Sequence, residues 1–488
     1  MLFQRTNTIN LRAILRLLGI LLLFEAAFML PALAVSICYN ETKSIESFLI
    51  SIAITAGCGL PAALLPTKNN DMGKREGFLL TSLTWVVFSF FGMLPFMFIP
   101  DGLNAADAYF ETMSGLTTTG SSTFSSVESL PKGILLWRAI THFIGGMGII
   151  LFTLAVIPML NKKSGIQLFN AEVTGITHDK IRPRISHTAK SLWGVYILLN
   201  VILTLLLWAG PMNLFDAICH SFSTIATGGF STRDSSIAAF NSDYVTIVIT
   251  IFMFVSGISF GLLYKCLYGN VRDLWKNDTT RWYVSIILIA IVGVGAIEYF
   301  RGDSDFNEVL VGIPAQLVSA ITSTGFNAVN FSDWQYPSII IMVILITIGA
   351  CAGSTTGGIK VDRIAQIGKN LKKELYKILY PNAIVPVRIN GKIQTSELAS
   401  KTGALILLYF ISFLIGTFCL SLTGIGIFDS IFATLSCLSN NGLGYGFTGA
   451  SYADICDAGK WIMSALMLIG RLEFFTVIVM LTKAFWKK

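Results

Sequence analysis

Apolar residues run along this chain in blocks of roughly 20 or more, the length that crosses a bilayer, separated by short polar stretches. The first block predicts a helix over Leu11–Cys38. The second predicts one over Ile45–Leu65, ending near Pro66, with a polar stretch from Lys68 to Arg75 behind it. From there a pattern repeats: long apolar block, short apolar block, polar loop, long apolar block. The long outer blocks are Gly77–Pro100, Leu192–Gly210, Trp282–Tyr299 and Leu405–Leu422. The short blocks, too short to span, are Ala105–Leu116, Leu214–Ser223, a segment ending near Ile321, and Phe428–Leu438. The inner blocks are Ile134–Leu160, Tyr244–Leu267, Ser338 to about Lys369, and Trp461–Phe485.

The loops between short and inner blocks are alike. Each has small or polar residues running into a glycine: Thr117-Thr118-Thr119-Gly120, Ile225-Ala226-Thr227-Gly228, Thr322-Ser323-Thr324-Gly325 and, more loosely, Ser439-Asn440-Asn441-Gly442. Their spacing of about a hundred residues is too long for a solenoid repeat and fits a whole folding unit used four times. Three short blocks open with an acid, Asp107, Asp216 and Asp429. That predicts caps at their starts and negative helix ends aimed at the loops. The third unit lacks the match, because Glu308 comes too early. The inner blocks share a second echo: Gly145-Gly146-Met147-Gly148, Ser256-Gly257-Ile258-Ser259, Gly349-Ala350-Cys351-Ala352 and Gly470-Arg471.

Composition agrees with a membrane chain: 488 residues, 53% hydrophobic and only 13% charged, against about a quarter charged in soluble domains. The net charge of +7 sets topology rather than nucleic-acid binding. Lysines and arginines crowd the N-terminus, residues 68–75, Lys162–Arg184, Lys265–Arg281, Lys360–Lys377 and Lys483–Lys488. By the positive-inside rule these are cytoplasmic. Ten spans then close the alternation, with both termini inside and all four loops outside. The start resembles a cleaved signal peptide, with Ala32-Leu33-Ala34 after an apolar run; the length of that run favours a first spanning helix. The cysteines and histidines show no metal or redox spacing, so no metal cluster, disulfide framework or cofactor is expected, and no enzyme. The cytoplasmic stretches 162–189 and 370–400 are expected to hold linkers and short amphipathic helices at most.

Four uncharged polar loops at membrane depth suit a cation that must shed water, because backbone carbonyls replace its hydration shell. Such backbone is tolerated only where it lines a cavity, and glycine relieves the dihedrals it requires. The absence of a carboxylate ring favours a large monovalent ion. Glu111 in the first short block is expected to add surface potential or to be a solvated face residue. The run Gly349-Ala350-Cys351-Ala352-Gly353-Ser354-Thr355-Thr356-Gly357-Gly358, closed by Ile359-Lys360, breaks the third inner helix about half a bilayer down and predicts a loop across the pore. Arg471 lies at similar depth in the fourth inner helix; an intramembrane arginine is costly and functional by default. Its bridge to Glu473 is poorly placed, since residues two apart do not share a helix face.

Trp137-Arg138…Gly145-Gly146-Met147-Gly148, the four loops, Gly353-Ser354-Thr355-Thr356-Gly357-Gly358-Ile359-Lys360 and Gly470-Arg471-Leu472-Glu473 together resemble the Trk, Ktr and HKT superfamily of potassium transporters, most closely the TrkH-type membrane subunits. The likeness spans essentially the full chain, including the two-helix opening. It implies an all-α polytopic fold: an opening two-helix domain (1–76) and four helix–pore-loop–helix repeats (77–163, 164–278, 279–378 and 379–488) around a pseudo-fourfold pore. It implies potassium as the substrate, bound by the four loops with filter glycines Gly120, Gly228, Gly325 and Gly442. It implies a gate at 349–358 held shut partly by Arg471, in which Gly349, Gly353, Ser354, Thr355, Thr356, Gly357, Gly358 and Lys360 take part. It further implies a homodimer in the bacterial inner membrane, controlled by a TrkA-like cytoplasmic nucleotide-binding ring. A proton- or sodium-coupled potassium symporter, or a sodium transporter, remains open on the same scaffold. Asn440-Asn441 depart from the Thr-type pattern, which is expected to loosen the filter on one side.

Overall fold

Helices dominate because the apolar blocks bury their backbone hydrogen bonds within each segment, as a bilayer demands. The computed structural model describes residues 9–66, 73–148, 185–301, 305–449 and 451–486. The expected run of the first inner helix to Leu160, the N-terminal Arg5, Lys68, and the basic cluster between Lys162 and Arg184 lie outside the described residues.

Helices α1 (Leu11–Cys38) and α2 (Thr42–Ala63) form the opening hairpin. They approach closely because a side chain at Gly19 would overlap Ala62 and Ala63, a small-residue contact typical of membrane helices. The first unit follows as α3 (Lys74–Gly92), α4 (Leu94–Phe98), the short α5 (Ala105–Leu116) and the inner α6 (Lys132–Gly146). The second is α7 (Ile185–Ala209), short α8 (Leu214–Ala226), and inner α9 (Asp243–Ser256) with α10 (Phe260–Leu267). The third is α11 (Asp278–Arg301), short α12 (Ile313–Ile321) behind a π-helical turn at Glu308–Gly312, then inner α13 (Tyr336–Ile348) and α14 (Val361–Leu379). The fourth is α15 (Ser396–Ser421), short α16 (Ile427–Leu438), and inner α17 (Asp457–Arg471) with α18 (Phe475–Leu481).

Among the described residues six helices are long and apolar enough to cross a membrane: α1, α2, α3 continued by α4, α7, α11 and α15. The bent pairs α9–α10 and α17–α18 bring this to eight if each is one span. The short helices pack in a closed cycle. Each lies between the inner helix of its own unit and that of the unit before: α5 between α6 and α17, α8 between α9 and α6, α12 between α13 and α9, α16 between α17 and α13.

Several expectations change at this level. The second and fourth inner helices break as the third does, with bends of 103° and 114°. At the second break the freed backbone pairs with the 349–358 segment: Cys351 N–H donates to Gly257 O at 3.0 Å, and Phe260 N–H to Gly353 O at 2.9 Å. At the fourth, Glu473 (φ 51°) and Phe474 (φ 60°) both have positive φ, which a right-handed helix cannot absorb. Residues 370–400 hold more than linkers. Strands β1 (Arg388–Ile389) and β2 (Lys392–Ile393) pair antiparallel around Asn390 and Gly391, both at positive φ. Asn-Gly is the favoured two-residue hairpin turn. Three of the four short helices open with acids in their first turns, but the caps of α5 and α8 are Asn104 and Asn213, which accept from the N–H groups of Asp107 and Asp216 at 2.8 Å.

Glu111 is neither solvated nor free to set a surface potential. It is fully buried and pairs with Arg138 on α6 at 2.7 Å. Its carboxylate also accepts from the Thr123 N–H at 2.8 Å, while Arg138 donates to Ser231 O at 3.1 Å and lies 4.0 Å over the Phe230 ring. This one pair ties α5, α6 and the segments leaving the first two loops. Glu111→Ala strands a buried guanidinium, so stability should fall by about 3–5 kcal/mol, while the double Glu111→Ala/Arg138→Ala variant should lose less. Thermal unfolding of detergent-solubilised protein followed by size exclusion measures both.

Candidate functional site

The C-terminal ends of the four short helices converge, and each ends the same way. In the first, the Thr118 N–H donates to Gly115 O and the Thr119 N–H to Ser114 O. In the second, Thr227 donates to Thr224 O and Gly228 to Ser223 O. The third uses Ser323 to Ala320 and Thr324 to Ser319; the fourth uses Asn440 to Cys437 and Asn441 to Ser436. These are Schellman-type caps, which satisfy carbonyls a helix end leaves orphaned. Such caps call for a left-handed residue, usually glycine. Here Thr118 (φ 56°), Thr227 (φ 55°), Ser323 (φ 50°) and Asn440 (φ 50°) occupy it. A β-branched residue there is a true outlier, and such strain gathers at functional sites.

The caps fix a common register: Ser114, Ser223, Ser319 and Ser436 each stand six residues before a glycine of positive φ. Those glycines are Gly120 (87°), Gly229 (83°), Gly325 (81°) and Gly442 (80°). In the second loop the glycine that takes this place is therefore Gly229, and the positions matching Thr117–Gly120 are Ala226–Gly229. Ile225 matches Leu116, Ile321 and Leu438 in the last helical turn. Reading inward from the first glycine of Gly228-Gly229 shifts this loop by one. The shared Ser-x-Leu/Ile triplet was the signal that sets it right.

The four glycines close a ring. A side chain at Gly120 would run into Gly228 O, one at Gly229 into Thr324 O, one at Gly325 into Asn441 O, and one at Gly442 into Thr119 O. Each glycine thus abuts the preceding-position carbonyl of the next loop, and the fourth returns to the first. Loops one and three are braced by their own hydroxyls, Thr117 to Thr119 at 2.8 Å and Thr322 to Thr324 at 2.7 Å. The asparagines of loop four tighten the ring rather than loosen it. Asn440 Nδ2 donates to Thr119 Oγ1 at 3.1 Å, and Asn441 Nδ2 donates to Ala320 O at 2.7 Å. Three residues before the first three marker serines, Glu111, His220 and Gln316 hold the chain leaving their loops: Glu111 as above, His220 Nε2 beside Ser231 Oγ at 3.0 Å, and Gln316 accepting from Ala328 N–H at 2.9 Å; the fourth has Ala433 there.

The segment 349–360 forms a floor against the helix side of the ring. Gly349 (φ 70°), Gly353 (φ 78°) and Gly358 (φ 76°) give it its turns, and Lys360 (φ 82°) ends it. Ser354 and Thr356 bond each other through their hydroxyls at 2.7 Å. Thr355 Oγ1 donates to Ile225 O at 3.2 Å and accepts from Thr227 Oγ1 at 3.1 Å. The Gly357 N–H donates to Ser323 Oγ at 2.7 Å, and a side chain there would strike Ser439 O. The floor so reaches loops two, three and four directly.

Arg471 supplies the link to loop one. Its Nη1 donates to Thr355 O at 2.8 Å and to Thr118 Oγ1 at 3.3 Å; its Nη2 donates to Gly145 O at 2.5 Å and Gly146 O at 3.3 Å. The helix break turns Glu473 toward the end of the floor, where it pairs with Arg363 and lies 3.4 Å from Lys360. Arg363 and Glu473 were missed as partners because they are 110 residues apart and the break that joins them is a backbone reversal.

A family model described as a cation transport protein, TrkH, matches residues 43–296 and 305–488. The chain is 35% identical to the Trk system potassium uptake protein TrkH of Escherichia coli, over 98% of this chain and all of that one. It is 32% identical to the Trk system potassium uptake protein TrkG of the same organism, over 99% and 100% of the two chains. Its fold is similar to the crystal structure of the potassium transporter TrkH from Vibrio parahaemolyticus, with a TM-score of 0.89 and 29% identity over 98% of this chain and all of that one. The chain belongs to the TrkH family of cation transport proteins.

Proposed function

We propose that this chain is the membrane subunit of a Trk potassium uptake system and passes potassium through a gated, channel-like pore. The observation that carries the reading is the closed ring of four strained loops with a floor beneath it. Extended backbone at membrane depth has few other uses. Carbonyls of Thr117–Thr119, Ala226–Gly228, Thr322–Thr324 and Ser439–Asn441, with Gly120, Gly229, Gly325 and Gly442 behind them, replace the water of a weakly hydrated monovalent cation. The units 77–163, 164–278, 279–378 and 379–488 are arranged with pseudo-fourfold symmetry after the opening domain 1–76. Ten spans result when α6 and the pair α13 with α14 are counted with the eight described. Both termini are cytoplasmic and the protein resides in the bacterial inner membrane. Membrane potential contributes about 2.3 kcal/mol per charge per 100 mV, so uptake needs no chemical step.

The floor at 349–358 is the gate. Arg471 latches it by bonding both the floor and loop one, and Glu473 fastens its far end through Lys360 and Arg363. The chain acts as a homodimer, and a TrkA-like cytoplasmic ring that binds nucleotides moves the gate.

Growth of a potassium-uptake-deficient bacterium on micromolar-to-millimolar potassium tests the reading, with this chain expressed alone and with a TrkA-like partner. Rescue is expected, and fuller with the partner. No rescue with the protein present in the membrane would transfer the assignment to sodium or to coupled symport. Arg471→Ala removes charge-assisted hydrogen bonds worth about 1.5–3 kcal/mol each, so basal flux into liposomes should rise at least about tenfold. Unchanged flux would refute the latch. Gly229→Ala should abolish selective flux, because both φ and the Thr324 carbonyl oppose it. Gly194→Ala, on α7 with nothing within 4 Å, should behave as wild type.

A further inference from the structure

The second loop differs from its neighbours in what stands behind it. Loops one and three carry threonines that bond each other across the turn. Loop four bonds outward through Ser439 to Tyr409 at 2.7 Å, and through its asparagines. Loop two has Ala226 and Gly228 at the matching positions, and neither side chain can brace anything.

A histidine from another unit fills that place. His142 on α6 is fully buried. Its Nδ1 lies 2.8 Å from Ser223 Oγ. Ser223 Oγ donates to Phe230 O at 2.7 Å, so Nδ1 carries the proton and donates to the serine. The imidazole stacks on Phe230 with centroids 4.2 Å apart and planes 16° from parallel. Its Nε2 is buried with no hydrogen-bond partner among the described residues, so the ring's shape matters here more than a wider polar network.

Gly228 rests directly on this ring. A methyl group there would lie 2.6 Å from Cε1 and Cγ of His142. Gly228 has no positive φ to forbid alanine; the three atoms nearest to such a methyl all belong to His142. The ring cannot yield, being held by Phe230 on its face and Ser223 on its edge. The carbonyl of the same Gly228 is the one that meets Gly120 in the ring of four.

We propose that His142 is a specificity-determining residue of the pore. Its ring and its single hydrogen bond set how far loop two stands toward the axis, doing for that quadrant what paired threonines do in loops one and three. The inference rests on reading the four loops as the selectivity filter.

The test is the potassium-to-sodium permeability ratio of purified protein in liposomes, at equal amounts of monodisperse protein, for wild type, His142→Ala, Gly228→Ala and the double variant. His142→Ala should lower the ratio by at least about fivefold, the scale of one lost buried hydrogen bond. Gly228→Ala alone should lower it too, by pushing the loop off the ring. The double variant should recover most of the wild-type ratio, because the alanine methyl enters the space the imidazole leaves; a general loss of packing would instead add. An unchanged ratio in His142→Ala, or a double variant no better than Gly228→Ala, overturns the inference. A wild type that passes sodium as readily as potassium overturns the filter reading itself, and this inference with it.

Discussion

Everything in the centre of this molecule follows from the need to end four short helices together in the buried interior. A helix end leaves carbonyls without partners. Each end folds back on itself with two hydrogen bonds from the next residues, at the cost of a left-handed threonine, serine or asparagine. Strain of this kind, of order 1–3 kcal/mol per residue, persists only where surroundings over-determine it. Here the surroundings are the other three loops, each glycine resting on its neighbour's carbonyl.

The charged residues serve that ring from two sides. Glu111 and Arg138 pair above it and join the segments that leave loops one and two. Lys460 on α17 pairs with Asp107 at the start of α5, closing the contact between the last unit and the first. Below the ring, Arg471 and Glu473 divide the work although two residues apart. Because the helix ends between them, one reaches the loops and Gly145, the other the far end of the floor. A continuous helix would have aimed them at different neighbours.

Much of this was legible along the chain. The apolar blocks gave the long helices, and the four polar loops, the glycine run at 349–358 and the costly Arg471 all lie together as their chemistry suggested. What was hidden depended on backbone reversals or on distant partners. The one-residue shift in loop two arose because Gly228-Gly229 offers two candidates, and only the cap register chooses. Glu111 looked like a face residue because its partner Arg138 lies 27 residues on, and an ion pair at that spacing has no periodic signature. Asn440 and Asn441 looked like a weakness because their partners, Thr119 and Ala320, belong to other units. The hairpin at Arg388–Ile393 was announced by Asn390-Gly391 and passed over because the membrane pattern around it was so strong.

A ring assembled from one polypeptide has a consequence for how the protein is made. Loop one leaves the ribosome early, yet its partners come last: Asn440 is 321 residues away and Arg471 is 353. Loop closure over such lengths is slow relative to local helix formation. A nascent chain with three units inserted thus has a gap where the fourth quadrant belongs, and its 349–360 segment still lacks Arg471 and Glu473, which fasten it in the finished fold. The order of synthesis brings out the floor before the residues that fasten it.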